Sequence, residues 1–148
     1  MSYNTGEAAI LTLMQSVTGF SSSNTSRGNW LILNKGLDDN YAILRPGGFS
    51  IEWITFQSYH ANYSTVVEVW QRYIDDATTH TSLYTHVGNI ITSLNQYYKL
   101  NGTSGVIDAS IASADEPEEM WRKGGGPQWL RWRLVLEWKE EVNVTFAK

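Results

Sequence analysis

Gln128-Trp-Leu-Arg-Trp-Arg-Leu-Val-Leu-Glu-Trp-Lys-Glu-Glu141, near the C-terminal end, decides how the chain is read. Leu130, Trp132, Leu134, Leu136 and Trp138 occupy alternate positions, separated by Trp129, Arg131, Arg133, Val135, Glu137, Lys139 and Glu141. Successive side chains of a strand point to opposite faces, so this spacing predicts one long strand over residues 128–141, with an apolar face and a mostly charged one. A helix would scatter the same tryptophans around its circumference. The other elements are expected against the face carrying Leu134 and Leu136. The face carrying Arg131, Arg133, Glu137 and Lys139 is expected to stay in water or to meet a partner.

Upstream of this strand, residues 114–127 read as a long polar loop, Ala-Asp-Glu-Pro-Glu-Glu-Met-Trp-Arg-Lys-Gly-Gly-Gly-Pro. Loops of this length inside a domain are usually functional or disordered. Before it, residues 106–113 alternate Val106, Asp108, Ser110, Ala112 against Ile107, Ala109, Ile111, a strand expected to pair antiparallel with 128–141. Residues 78–99 place Leu83, Val87, Ile90, Ile91, Leu94 and Tyr98 on one helical stripe. Asp75-Asp76 offers its N-cap and Asn101-Gly102 its stop. Thr65–Tyr73 (Val66, Val67, Glu68, Val69, Trp70 within it) reads as a strand without a fully polar face, hence central or lined by an interface. Residues 60–64 read as a turn or exposed extension. Residues 49–57 and 41–45 read as two strands separated by Pro46-Gly47-Gly48. Residues 30–40 read as an irregular excursion and 21–28 as a loop. Near the start, Asn4 followed by Glu7 resembles a capping box ahead of a short helix over 8–17 carrying Ile10, Leu13, Met14 and Val17, with Gly19 as its stop. Residues 142–147 either extend the long strand or leave the body as an arm.

The order helix, strands, helix, strands predicts an α+β fold: a mainly antiparallel sheet of about four to five strands, with the short N-terminal helix and one long helix packed on one face. The chain, residues 1–148, is expected to form a single domain with its own core. Seven tryptophans and eight tyrosines exceed what one core needs unless the core is Trp-rich, and otherwise imply contact surfaces. A net charge of −4 argues against a free-standing DNA binder, which would need a basic excess. The absence of cysteine excludes a disulfide framework and thiolate metal sites. No basic segment followed by an apolar run marks a signal peptide, and no apolar run approaches membrane-spanning length. The Asn-x-Ser/Thr triplets at Asn24, Asn62, Asn101 and Asn143 read as chance matches in that context.

Enzyme motifs are weak. His80 and His86 stand six apart on different helix faces, a poor metal spacing, and His60 lies elsewhere. Asp115, Glu116, Glu118 and Glu119 share one loop and lack the opposed geometry of catalytic carboxylates; Pro117 interrupts any calcium-loop pattern. Gly124-Gly125-Gly126 lacks the Gly-Lys-Ser/Thr ending and the helix start of a phosphate loop. Trp129, Arg131 and Arg133 would suit a stacking platform for single-stranded nucleic acid. Glu137 and Glu141 on the same face fit pairing with a complementary strand or subunit better, or a solvated face with cross-strand ion pairs.

Three features together resemble the tail terminator proteins of long-tailed bacteriophages. These are a short N-terminal helix with a loop into Tyr41-Ala-Ile-Leu-Arg-Pro-Gly47; Val66-Val-Glu-Val-Trp-Gln-Arg-Tyr73 running into a long helix; and the strand from Val106, the acidic loop, and Trp129-Leu-Arg-Trp-Arg-Leu-Val-Leu-Glu-Trp138. The resemblance implies a virion structural protein that closes into a homohexameric ring, caps the tail tube, ends its elongation and joins tail to neck or head. DNA would pass through the lumen without specific binding. No reaction, cofactor or membrane partner is implied. Partners would be copies of itself, the tail tube protein and a neck or connector protein, at the tail–neck junction of a virion assembled in the host cytoplasm. On this reading Glu118, Glu119, Met120, Trp121, Arg122 and Lys123 form the candidate tube-contact loop. Trp129, Arg131, Arg133, Glu137 and Lys139 form the candidate subunit-interface face. A net acidic chain would repel DNA phosphates rather than grip them. The rival readings are a tail tube subunit or head-side connector, a carbohydrate-binding module using Trp121 and Trp129, and a small enzyme, which would need a pocket of perturbed titratable groups.

Overall fold

The computed structural model describes residues 3–30, 32–35, 38–97, 99–100, 102–103, 105–121, 124 and 127–146. Its elements run α1 (Tyr3–Gln15), β1 (Thr25–Arg27), α2 (Ile32–Lys35), β2 (Asn40–Thr55), β3 (Ser58–Arg72), α3 (Asp76–Asn95), β4 (Val106–Ala114), β5 (Glu118–Trp121) and β6 (Pro127–Asn143). The strands form one sheet in the order β1-β2-β3-β6-β4, with β5 also on β6. Only the β1–β2 pairing is parallel; the others are antiparallel. The α+β fold and the long C-terminal strand are as the sequence predicts.

β3 and β6 pair without a register shift from Ser58↔Asn143 to Arg72↔Trp129. They are the spine of the sheet, and β3 is central as its two half-apolar faces require. On one side of it α1 contributes Ile10, Leu13 and Met14, and α3 contributes Leu83, Val87, Ile90 and Leu94, against Val67, Val69, Leu134, Leu136 and Trp138. Each such aliphatic side chain, fully buried, stabilises the fold by about 1.5–3 kcal/mol before entropy is counted. Asp75 caps α3 as expected: Thr78 N donates to its Oδ1 at 2.8 Å. That charge-stabilising bond from Thr78 holds the Asp75 carboxyl below the usual carboxylate range. The helix stops at Asn95, short of residue 99, and Leu100 then turns back into the core with φ 48°. Tyr98 and Asn101, part of the predicted stripe and stop, lie outside the described residues.

Trp138 explains why α1 lies where it does. Gly6 of α1 sits flat against its indole: a Cβ there would come within 2.0 Å of the ring. The indole Nε1 donates to Thr65 Oγ1 at 3.1 Å, and the rings of Tyr3 and Tyr63 close around it at centroid distances of 5.8 and 4.4 Å. Tyr63 Oη donates to Glu140 Oε1 at 2.9 Å. Burial, with that carboxylate beside it, pushes the Tyr63 hydroxyl up to about 12.

Five expectations about local structure are corrected. Residues 41–45 and 49–57 are one strand, not two. Past Leu44 the outer side of β2 has no β1 partner, so the missing N–H of Pro46 costs no ladder bond there. The extra residue of Pro46-Gly47-Gly48 is absorbed as a bulge between Pro46 and Phe49, and Gly47 passes so close to Ser64 that a Cβ would meet its Cβ at 2.8 Å. Residues 60–64 are not a turn but the middle of β3, paired on both sides. The turn lies at Phe56-Gln57. The 21–28 loop contains β1, held by Ala42 N donating to Asn24 O at 2.9 Å. Asn4 and Glu7 form no capping box, because α1 already begins at Tyr3; both turn to Arg27, whose Nη2 and Nε donate to Asn4 Oδ1 and Glu7 Oε1 at 2.5 and 2.7 Å. The 114–127 loop contains β5, paired to β6.

Candidate functional site

The charged face of β6 is largely occupied by its own chain at one end. Trp129 joins Tyr41, Ile43 and Trp70 in a second apolar cluster, covered by Ile32 and Leu33 of α2 and by Met120 of β5. Arg72 lies over the Trp129 ring at 4.6 Å. Trp129, placed by the sequence on the candidate subunit-interface face, is only 5% exposed within its own chain. That burial also removes Trp129 from a surface stacking row for sugars or bases, since stacking needs an accessible ring face.

Next to this cluster runs a ladder of charges. Glu68, buried on β3, accepts from Trp30 Nε1 at 2.8 Å and Arg131 Nη1 at 3.4 Å, and its other neighbour is Arg45 Nε at 3.5 Å. Arg131 Nη2 donates to Glu118 at 2.8 Å; Arg133 Nη2 reaches Glu118 at 3.3 Å and Asp115 at 3.0 Å. Two of the four acids of the 115–119 segment are thus held by arginines of β6. The segment is tied down where the sequence predicted a long polar loop. Glu119 and Trp121 remain exposed and Met120 half-buried, while Arg122 and Lys123 lie outside the described residues.

Glu137 and Lys139 sit further along β6, on the same face, in an open polar trough of about 490 Å³ shared with Ser50, Asn62, Asp108 and Ser110. Cross-strand pairing aligns Ser50, Asn62, Lys139 and Asp108 in one row, and Glu52, His60 and Glu141 in the next. The structure therefore divides the five β6 residues into a covered pair at one end, Trp129 and Arg131, and an open pair at the other, Glu137 and Lys139. Arg133 stands between them.

The residues that sequence reading overlooked are on β2 and at the turn that follows it. Phe49, Ile51, Trp53, Ile54 and Phe56 are 70, 51, 56, 51 and 75% exposed. Toward this end β4 still pairs with β6 as far as Val106 opposite Glu140, and past Glu140 strands β2, β3 and β6 run on alone, so that the end of the sheet forms an arm. Its helix-side face carries Phe49, Ile51 and Trp53, paired across to Tyr63, Ala61 and Tyr59, and then to Trp138, Glu140 and Val142. This face is continuous with the core face, but the N-terminal turn of α1 ends at Tyr3, over Tyr63 and Trp138. At the tip Phe56 stacks on Phe146 with rings 6.4 Å apart. Alternation at Phe49, Ile51 and Trp53 was visible in the sequence; that more than half of each side chain stays exposed was not.

Histidines and carboxylates do not converge. His80 Nδ1 contacts Asp76 O at 2.7 Å, His86 packs edge-on to Phe20, and His60 is on the arm. Burial lowers the pKa of His86. Among the described residues no group of His, Asp and Glu is arranged to hold a metal ion, and no helix is long and apolar enough to cross a membrane.

No protein-family model and no curated protein matches the chain. Among solved structures, a chain from a structure described as "Virion of native gene transfer agent (GTA) particle" superposes on it with a TM-score of 0.63 at 13% sequence identity, over 95% of this chain and 100% of that one. At that identity the likeness establishes a shared fold over nearly the whole length of both chains.

Proposed function

We propose that this chain is a virion structural protein that caps a tail tube as a ring, ends tube elongation and joins the tail to the neck, leaving a channel for DNA. The observation that carries the reading is the arm: five large apolar side chains stand exposed on a domain that already has a complete core elsewhere. Exposed apolar surface of this kind marks a contact with another molecule. The fold shared with a chain of a virion particle supports placing that contact in a virion. The chemistry of the other face agrees with a conduit. Glu52, Asp108, Glu137 and Glu141 face one way with Lys139 as their cationic neighbour, a surface that repels phosphate. The exposed edge of β5, with Glu119, Met120 and Trp121, is the candidate contact with the tube.

The test is assembly without the protein. Particles made in its absence should carry overgrown tails of irregular length that are not joined to heads. Tails of uniform, normal length joined to heads would overturn the proposal. A narrower experiment replaces residues 116–125 by a short Gly-Ser linker, which should abolish attachment at the tube end while the domain still folds.

A tail tube subunit or head-side connector is the second reading, favoured by the same arm, since stacked subunits also need apolar contacts. Negative-stain images of the purified protein separate the readings: long polymers indicate a tube subunit, discrete rings or single protomers a terminator.

A further inference from the structure

The outer edge of β2 is only partly occupied. β1 pairs with Ala42, Ile43 and Leu44; Ala42 N donates to Asn24 O at 2.9 Å and Gly28 N donates to Leu44 O at 2.7 Å. The N–H and C=O groups of Ala42 and Leu44 therefore point outward, away from their β3 partners Val69 and Val67. The same alternation runs down β3, which meets β6 without a register shift, to Tyr63, Ala61 and Tyr59. Their partners Phe49, Ile51 and Trp53 thus also aim N–H and C=O groups outward. There β1 has ended, and residues 46–57 are all exposed. The other free edges of the sheet are short or guarded: β1 and β5 have three and four residues, and on β4 Ile111 N already donates to Asn95 Oδ1 at 2.8 Å.

We infer that this edge takes an added strand: an extended, amphipathic segment of a different protein, with apolar residues beside Phe49, Ile51 and Trp53 and a lysine or arginine beside Glu52. The inference goes beyond the ring reading and does not depend on it. Alternating unpaired donors and acceptors are met in full only by another extended backbone, which is how added strands bind sheet edges. The added strand would continue the row that β1 begins. Its side-chain pattern follows from the two faces it extends. One face carries Phe49, Ile51 and Trp53; the other carries Glu52, His60 and Glu141 in a single row, without a lysine or arginine. A cation in the incoming strand meets that acidic row, since opposite charges on neighbouring strands attract. The same charge disfavours a second copy of this chain. The open run of β2 carries Glu52, β4 carries Asp108, and β5 carries Glu118 and Glu119, with no lysine or arginine among their described residues. On β1 the one cation, Arg27, is already held by Glu7 and Asn4.

The probe is a short peptide, blocked at both ends, that alternates valine and threonine with one central threonine replaced by lysine. Amide hydrogen exchange of the whole chain is read residue by residue by NMR, with and without it. In the free protein the amides of Phe49, Ile51 and Trp53 should exchange fast and those of Ser50 and Glu52 slowly, because only the second set faces β3. Millimolar lysine peptide should slow the first three by about tenfold or more. The same peptide N-methylated throughout, which has no N–H to donate, should leave them unchanged. Ile51→Pro removes an outward N–H and no internal ladder bond, so it should weaken binding while the urea midpoint holds. Glu52→Lys should reverse the preference for the lysine peptide over its glutamate counterpart. Equal slowing by the N-methylated peptide, or undiminished binding to folded Ile51→Pro, would mean that the apolar face binds and the edge does not. Absence of slowing by the lysine peptide, or an unchanged charge preference in Glu52→Lys, overturns the proposal. So does slow exchange at Phe49, Ile51 and Trp53 in the free protein together with a dimeric mass, which assigns the edge to a second copy.

Discussion

The same three strands behave differently in their two halves. In the body, the helix-side residues Val67, Val69, Leu134 and Leu136 are closed over by α1 and α3. In the arm, Phe49, Ile51 and Trp53 lie in the same face of these strands and stay 70, 51 and 56% exposed, although Ala61 and Glu140 beside Ile51 are buried. Period-two alternation specifies a strand with an apolar face; it does not specify what the face is for. In one half that face holds the domain together. In the other it is surface held ready for another molecule, and mutations should separate the two roles.

The sharpest test of that boundary is Trp138, where the body meets the arm. Trp138→Ala removes a side chain 2% exposed, and should cost about 3–5 kcal/mol in urea-denaturation experiments. A loss below about 1 kcal/mol would mean that the body does not depend on this indole. Glu68 comes next. Glu68→Leu leaves Arg131 and the Trp30 indole N–H without their buried carboxylate, and should cost about 3 kcal/mol by the same measurement. The glycine pair then compares a covered with an open helix position. Gly6→Ala must displace the Trp138 ring and should destabilise by about 1–3 kcal/mol. Gly88→Ala, in α3 with open space around its Cβ, should stabilise by about 0.5–1 kcal/mol. Equal effects of one sign at both sites would contradict the packing described.

A smaller effect follows from His86, whose pKa is lowered below its ordinary 6.5 by burial. The unfolded chain takes up this proton at a higher pH than the folded one. Stability is therefore greatest above pH 6.5 and declines as the pH falls from 6.5 through the lower folded value. Replacing His86 by Gln should flatten that part of the stability-against-pH curve, measured by denaturation at each pH. An unchanged slope would place the titration on other groups.

Much of the body was legible. β6 and α3 announce themselves because a long strand and a long helix repeat their period enough times to exclude the alternative. Asp75 was recognisable because an acid just ahead of a helical stripe can accept from a backbone N–H of the first turn, as it does from Thr78 N. The β2–β3 hairpin was not legible. Its turn, Phe56-Gln57, holds neither glycine nor asparagine, whereas Pro46-Gly47-Gly48 carries every mark of a stop yet is a bulge within a strand. A two-residue turn of ordinary side chains leaves no compositional trace, so polar His60 to Ser64 took its place in the reading. The site was less legible still. Cross-strand ion pairs on the face of Arg131 and Arg133 were among the expectations, but that their partner is Glu118 of the 114–127 loop was not legible, because a sequence does not reveal which opposite charges fourteen or so residues apart will meet across a ladder.

The most direct measurement compares folding with assembly in one protein, the double variant Phe49→Ser, Trp53→Ser. If the arm's apolar face exists for another molecule, the denaturation midpoint of the double variant stays within about 0.5 kcal/mol of the parent while its incorporation into particles is lost. A destabilisation approaching that of Trp138→Ala, or incorporation at the parent level, would contradict it.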